Sequence, residues 1–249
     1  GGTGSSDTRC VVTFVSHDGE GRQFLIRDVM GAGSGARPYA DGDDCVTANV
    51  RGRNMPCEFF ETFYPVRVEE LALRPDSGGP GRFRGGLGYL KEIRFLIDGF
   101  IMVADDRMLL QPFGAGGGDA GAGSLYTLNP ETDKELPIPN KTDFVPIQSG
   151  DLLRIMTPGG GGWGDPLDRE PERVLQDVRL GRVSLDSARH DYGILIDRNS
   201  MKVLEGETVQ ERKKLRLSRA PLRIIDRGER FRDLLAKERI SLTSEDPFL

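Results

Sequence analysis

The residues with the clearest chemical potential are acidic side chains at Asp41, Asp43, Asp44, Glu58 and Glu61. Carboxylate oxygens in such groups can bind Mg²⁺. The same composition is typical of a loop that is simply solvated by water. The residues alone therefore leave a metal site and a plain acidic loop both open.

Two glycine-rich stretches resemble phosphate-binding loops. The first, GAGSGA at 31–36, would need to open a helix to bind a dinucleotide, but the residues after it (RPYADG, 37–42) indicate a loop. The second, TPGGGGWGDP at 157–166, has no lysine and fails the phosphate-loop pattern. We therefore predict close backbone packing, with Trp163 as an anchor; ligand contact is the alternative.

Arginines accompany glycines in RPDSGGPGRFRGG, residues 74–86. Arg74, Arg82 and Arg84 could bind a carboxylate or phosphate through two parallel hydrogen bonds. They could equally form salt bridges in a surface turn. The sequence leaves both possibilities open.

Histidine and cysteine give weaker signals. The two histidines, His17 and His190, are far apart in sequence, which does not favour a metal site. The three cysteines, Cys10, Cys45 and Cys57, form no CxxC pair and do not suggest a disulfide framework or a zinc site. We expect buried thiols in a reducing cytoplasm.

Composition excludes several classes of protein. The 249-residue chain has a net charge of -5 and no long basic stripe, which argues against nucleic-acid binding. It has no apolar run of the ~18 residues that a membrane span requires, and its first residues do not have the pattern of a signal peptide.

Hydrophobic patterning predicts a β-rich body. Residues 10–16 and 22–30 are predicted to form a hairpin, and 63–79 and 151–158 to contain strands. Strands at 87–97 and 100–107 are predicted to pair through the Asp98-Gly99 dipeptide, a typical hairpin turn. The run GAGGGDAGAG (114–123) is predicted to be a mobile surface loop.

Helical patterns dominate after residue 160. Helices are predicted within 169–184, within 184–193 after a Ser184 cap, and at 205–220 and 227–240. The fold class is therefore α+β, with a β-rich body at 1–160 and a helical C-terminal region and tail at 161–249. The tail arginines are expected to face either an acidic partner or solvent; they are Arg212, Arg216, Arg219 and Arg223.

Two blocks of the chain, 40–96 and 157–194, resemble the hydantoinase B family. The resemblance rests on RPDSGG-x-GRFRGG-x-G followed by TPGGGG-aromatic-GDP. The family includes B subunits of N-methylhydantoinase-type enzymes, the matching part of 5-oxoprolinase, and subunits of acetone and acetophenone carboxylases.

The resemblance implies a role in an ATP-dependent enzyme of several subunits. An A-type partner would hold ATP and Mg²⁺ and phosphorylate the substrate, which would be a cyclic amide to be opened or a ketone to be carboxylated. The chain is expected to be inactive alone. The alternative is a non-catalytic structural subunit that holds the other subunits together.

The resemblance also bears on site residues. It implies that 1–249 is the C-terminal half of a B-type subunit, and that a divalent metal (Zn or Mn) belongs to the missing N-terminal half, with no metal ligand here. The stretch that often carries a histidine has Asn49, Asn54, Pro56 and Glu58 instead. Substrate-pocket residues are predicted at Asp41, Asp43, Asp44, Asn54 and Glu58. Structural loops are predicted at Gly78, Gly79, Arg82, Arg84, Gly159, Gly160, Gly161, Gly162 and Trp163.

Overall fold

The computed structural model describes residues 3–4, 10–46 and 54–238, and these residues confirm the α+β fold class. No helix among them is long and apolar enough to cross a membrane. The strands are β1 Cys10–His17, β2 Gln23–Met30, β3 Val66–Leu73, β4 Tyr89–Phe95, β5 Gly99–Ala104, β6 Gly114–Ala115, β7 Leu125–Leu128, β8 Leu136–Pro137, β9 Lys141–Ile147, β10 Leu152–Met156, β11 Ile196–Asp197, β12 Lys202–Val203 and β13 Ile225–Asp226. The helices are α1 Cys57–Phe63, α2 Pro171–Arg179, α3 Leu185–His190, α4 Glu205–Ser218 and α5 Glu229–Glu238.

The first sheet has the order β2-β1-β5-β9 and is antiparallel throughout. It confirms the predicted hairpin, in which Cys10 lies opposite Met30. Asp18 forms the turn, because its carboxylate accepts hydrogen bonds from the Glu20 and Arg22 amides. This use of an aspartate side chain is typical of tight turns.

The second sheet has the order β3-β4-β10-β7-β8 and is also antiparallel. β7 and β8, together with β9 of the first sheet, lie in a part of the chain whose alternation is too weak to predict strands. The two sheets face each other across one hydrophobic core, where the Phe14 and Phe95 rings lie 4.7 Å apart. A buried Lys91–Asp28 ion pair of 2.6 Å joins β4 to β2 inside that core.

The predicted hairpin between β4 and β5 is wrong. The two strands belong to different sheets, and Gly99 lacks the positive φ that the predicted turn needs. Glycine serves close packing here, since a Cβ at Gly99 would press on the β1 backbone at Val15. The Asp98 carboxylate instead accepts a 2.7 Å hydrogen bond from the Ser149 amide.

Five glycine-rich segments pack side by side at one end of the sandwich, and we call them the glycine layer: residues 31–36, 78–79, 85–86, 114–123 and 159–162. Their backbones bond to one another: the Gly79 amide donates to the Gly160 carbonyl (2.8 Å), and the Gly160 amide to the Gly86 carbonyl (2.9 Å). A Cβ on Gly160 would overlap the Ser34 carbonyl group. Only glycine allows backbones to approach this closely.

The prediction of a mobile surface loop at 114–123 is wrong. Gly114, Gly118 and Gly121 are buried within the glycine layer. The Ala115 amide donates to the Gly162 carbonyl (3.0 Å), so the segment is held by the TPGGGGWGDP stretch at 157–166. Low sequence complexity here reflects the need for glycine at contacts rather than a lack of order.

The helical predictions after residue 160 are confirmed for α2 to α5; residues 239 and 240 lie outside the described part. The Ser184 hydroxyl caps α3 by accepting from the Ser187 amide. α2 and α3 share a second small core, which includes Val174, Ala188 and Tyr192. The division at residue 160 stays a prediction; β13 pairs with β6 across it.

Candidate functional site

The loop that carries Asp41 and Asp44 lies against Arg84 and the start of the helical region. Pro171 suits the first turn of α2, and Gly181, with φ of +67°, follows its end. This helix places Asp177 on its buried face beside Val174. Asp177 and the preceding Arg169 therefore meet residues far away in sequence.

Arg169 is the centre of the site and is 1% exposed. Its two terminal nitrogens bind both Asp41 oxygens, at 2.7 and 2.8 Å, and one also binds the Asp177 carboxylate at 2.7 Å. Arg173 adds a 2.9 Å contact to Asp41, and the Arg84 amide donates to the same carboxylate at 2.8 Å. Such two-pronged contacts are the strongest form of the arginine–carboxylate pair.

The electrostatics of Asp41 follow from these partners. Burial alone would raise the pKa of its carboxyl, but hydrogen bonds and positive charge from Arg169, the Arg84 amide and Arg173 hold that pKa below its usual value. The pKa of Arg169 is raised in turn, because Asp41 outweighs the opposing effect of burial. Both groups are therefore charged at neutral pH.

Asp44 extends the same network. Its carboxylate accepts from the Leu87 amide at 2.8 Å and lies 3.3 Å from the buried Arg84 guanidinium. Arg182 approaches it at 3.4 Å. We name the set the ion network; its members are Asp41, Asp44, Arg84, Arg169, Arg173, Asp177 and Arg182.

Asn54 is connected through Tyr89 to Cys45, the residue that follows Asp44 of the ion network. Asn54 hydrogen bonds to the Tyr89 side chain, whose hydroxyl donates to the Cys45 carbonyl at 3.3 Å. Burial and the neighbouring Asp44 charge raise the pKa of the Cys45 thiol to about 12. That thiol is therefore protonated at neutral pH and is not an activated nucleophile.

The other predicted pocket residues lie apart from this cluster. Asp43 is exposed and pairs with Arg37 at 3.1 Å. Glu58 is exposed in the first turn of α1. Asn49 lies outside the described residues. Whether Asp41, Asp43, Asp44, Asn54 and Glu58 bind substrate stays a prediction.

The predicted structural loops meet in the glycine layer. Trp163 forms backbone bridges to both Phe83 and Ala115. Gly78 and Gly79 are buried beside Gly85, and Gly159, Gly161 and Gly162 are buried as well. Their assignment as scaffold stays a prediction that these contacts support.

The arginines of the 74–86 loop do not form one anion-binding group. Arg74 points inward and donates to the carbonyls of Gly123 (2.8 Å) and Thr157 (3.0 Å). Arg84 is buried in the ion network, whereas Arg82 is exposed beside the Phe83 ring. The three arginines of the loop therefore do not converge on one anion, and the loop is not a simple surface turn.

The tail arginines bind groups of this chain, so the predicted contact with an acidic partner surface is not needed to explain them. Arg212 donates to the carbonyls of Tyr192 and Arg169, and Arg219 forms a two-pronged pair with Asp165. Arg216 binds Asp168 at 2.8 Å, and Arg223 binds Asp226 at 3.2 Å.

His17 and His190 are both exposed. Among the described residues, no group of three or more histidine, cysteine or acidic side chains could hold a metal ion. In the ion network, both oxygens of Asp41 already accept hydrogen bonds from arginines and from the Arg84 amide, so they are not available to a metal ion. The ion network connects α2 to the β-rich body.

Comparison with known proteins assigns this architecture. Residues 2–166 match the Hydantoinase B/oxoprolinase family. The chain belongs to that family, as the two sequence blocks predicted. Both glycine stretches and the Asp41–Asp44 loop lie inside the matched region.

The relatives that it matches include the putative B subunit of a D-/L-hydantoinase from Pseudomonas sp. (strain NS671), 37% identical over 188 residues, which cover 75% of this chain and 32% of the relative. The beta subunit of caprolactamase from Pseudomonas jessenii is 36% identical and is matched over 68% of this chain and 30% of its own length. The matched part of the chain thus spans about a third of the length of these relatives.

Two solved structures share the fold. An ATP-dependent caprolactamase from Pseudomonas jessenii matches with a TM-score of 0.73 and 29% identity, covering 85% of this chain and 38% of that one. A nucleotide-free acetone carboxylase matches with a TM-score of 0.75 and 20% identity, covering 98% and 36%. At that identity the second likeness shows the fold alone.

Proposed function

We propose that this chain is part of a B-type component of an ATP-dependent, multi-subunit enzyme that opens cyclic amides. The observation that carries the proposal is its likeness to a hydantoinase B subunit, a caprolactamase beta subunit and a 5-oxoprolinase, at 33 to 37% identity. Each of those enzyme names refers to a ring that contains an amide. The ketone alternative rests on the 20% identical carboxylase structure and is less supported.

The proposed chemistry begins on a partner subunit that binds ATP and Mg²⁺. Transfer of the terminal phosphoryl group to the amide oxygen makes the ring carbon a better electrophile and turns that oxygen into a phosphate leaving group. Water then attacks the carbon, and the ring C–N bond breaks as the nitrogen takes up a proton, which leaves an acyl phosphate. A second water hydrolyses the acyl phosphate and releases phosphate. The balance is amide, ATP and two waters giving the ring-opened acid, ADP and phosphate.

In this proposal the chain contributes architecture next to the reacting group. The glycine layer and the ion network fix the loop that carries Asp41 and Asp44, and Asn54 is held close to it through Tyr89. A divalent metal, as Zn or Mn, would belong to parts of the B-type component beyond this chain. A non-catalytic structural subunit is the alternative that the assay must separate.

The test is to coexpress the chain with the A-type subunit and the remaining B-type part from the same source. ATP hydrolysis is then measured with hydantoin, 5-oxoproline or caprolactam, and separately with acetone plus bicarbonate. Stimulation by a cyclic amide supports the proposal. Stimulation only by acetone and bicarbonate, or equal activity of the complex without this chain, contradicts it.

Glu58→Gln separates a catalytic role from a structural one, because Glu58 is exposed and its replacement is expected to leave the fold intact. Glu172→Gln, at an equally exposed site on α2, is the matched control. A loss of turnover in the first variant alone, with assembly intact, would assign Glu58 to the substrate pocket. Unchanged turnover removes it from that pocket.

A further inference from the structure

A cavity of about 340 Å³ is lined mainly by the C-terminal region and shares no lining residue with the ion network. It is near the lower end of the size range of small-molecule sites, roughly 300 Å³. Its wall combines the glycine layer at Gly117 and Gly118 with residues beyond the end of the family match at 166. No step of the proposed function uses it.

One side of the cavity carries two carboxylates, Asp119 and Asp191, that form no ion pair within the described part of the chain, although Arg219 and Arg232 act on Asp119 and His190 acts on Asp191 at longer range. Within the described residues, the Asp119 carboxylate has no hydrogen bond or ion pair, and Asp191 has only the Ser187 hydroxyl as a donor. Loss of hydration and repulsion from Asp226 and Asp191 raise the pKa of Asp119 to about 6. Burial likewise raises the pKa of Asp191.

The other side carries an excess of positive charge. Arg223 and Arg232 bind the same oxygen of Asp226, at 3.2 and 2.6 Å, and each uses a single terminal nitrogen to do so. Two guanidinium groups thus share one carboxylate, which leaves donors free in a forked arrangement suited to a second carboxylate. Arg219, in contrast, is fully used by Asp165.

Apolar side chains contribute the rest of the cavity wall. Leu167, Leu215, Pro221 and Leu222 line the cavity together with the charged groups. Such a wall favours the methylene groups of a ligand by removing them from water.

We propose that this cavity binds a small molecule that carries both an ammonium group and a carboxylate. Asp119 and Asp191 receive the ammonium group, and Arg223 and Arg232 receive the carboxylate. A ligand with only one of these charges satisfies only one side. The inference does not depend on the proposed function, because binding is measured on this chain without ATP or partners.

The probe is 4-aminobutanoate, titrated into the full chain by calorimetry at pH 7.5, with butylammonium and butanoate as single-charge controls. A charged hydrogen bond contributes about 1.5–3 kcal/mol, so the zwitterion is expected to bind at least about tenfold more tightly than either control. Equal affinities, no binding at millimolar concentration, or binding of Mg²⁺ alone at the cavity would overturn the proposal.

Two variants assign the two sides. Asp119→Asn is expected to weaken 4-aminobutanoate about tenfold and to leave butanoate unaffected. Arg223→Gln should weaken 4-aminobutanoate and leave butylammonium unaffected. Asp143→Asn, on the exposed face of β9, is the matched control and is expected to change nothing. Melting curves verify folding; equal effects of Asp119→Asn and Asp143→Asn would contradict the assignment.

Discussion

The ion network and the C-terminal cavity use the same two residue types with opposite electrostatic results. In the network, the carboxylate of Asp41 meets Arg169, Arg173 and a backbone amide, and its pKa is lowered. In the cavity, the carboxylate of Asp119 has no such partner, and its pKa is raised to about 6. Close pairing of Asp41 serves the fold, whereas the absence of a direct partner at Asp119 leaves an interaction for a ligand.

The largest effect is expected from Arg169→Met, which removes the centre of the ion network. The buried carboxylate of Asp177 and the partly buried carboxylate of Asp41 would then lose their main partner. Breaking a buried pair by removing one member costs about 3–5 kcal/mol of unfolding free energy. Urea unfolding measures it, with the exposed Arg198→Met as control. A loss no greater than that of the control would show that the network contributes little.

The next largest effect is expected from Gly160→Ala in the glycine layer. The added methyl group would overlap the Ser34 carbonyl, and backbone atoms on both sides would have to move. Overpacking of this kind costs about 1–3 kcal/mol. Gly206→Ala is the matched control, because nothing lies within 4 Å of its added Cβ and α4 gains a better helix former. Thermal unfolding should move in opposite directions for the two variants.

These regions also differ in how far the sequence could predict them. The β-branched and apolar residues of two short runs predicted β1 and β2, and the Ser184 cap predicted α3, because both signals are local. The Arg169–Asp41 pair joins residues 128 positions apart, and no local pattern reports such a pairing. A burial signal existed only for Asp177, which shares a helix face with Val174.

Glycine misled the sequence prediction in two places for one reason. Gly99 after Asp98 indicated a turn, and the 114–123 run indicated mobility. In the structure both serve contacts with a neighbouring backbone, at Val15 and at Gly162 respectively. Composition reports that a residue lacks a Cβ, but only the tertiary arrangement shows whether that absence provides freedom or close packing.

A smaller effect is expected from pH, with opposite signs for the two aspartates. The folded-state pKa of Asp119 lies above its unfolded value of ~3.9, so its contribution to stability is greatest below pH ~4 and is lost as pH rises through about 6. Asp41, whose pKa is depressed, contributes at neutral pH and loses that contribution at acidic pH. The groups that act on Asp119 are Asp165, Asp191, Asp226, Arg219 and Arg232.

Asp119→Asn is therefore expected to stabilise the chain at pH 7.5 and to have little effect at pH 4.5. The gain should stay below ~1 kcal/mol, because Asp119 is only partly dehydrated: the residue remains exposed, and solvent screens its charge. Unfolding in urea at the two pH values measures the difference. A loss of stability at pH 7.5 would mean that the carboxylate has a favourable partner and that the two regions are electrostatically alike.

The smallest effect is expected from Asp43→Asn, which lies two residues from Asp41 but outside the ion network. Its pair with Arg37 is exposed on both sides, at 42% and 58%, and such pairs contribute about 0–1 kcal/mol. The free energy of unfolding should therefore hardly change, in contrast to Asp41→Asn, which leaves Arg169 underpaired. Because the fold is preserved, turnover of the assembled enzyme becomes a direct reading of substrate contact at this position. A fall in turnover at unchanged stability would place Asp43 in the pocket, whereas a loss of stability as large as that of Asp41→Asn would show that the network extends to the surface.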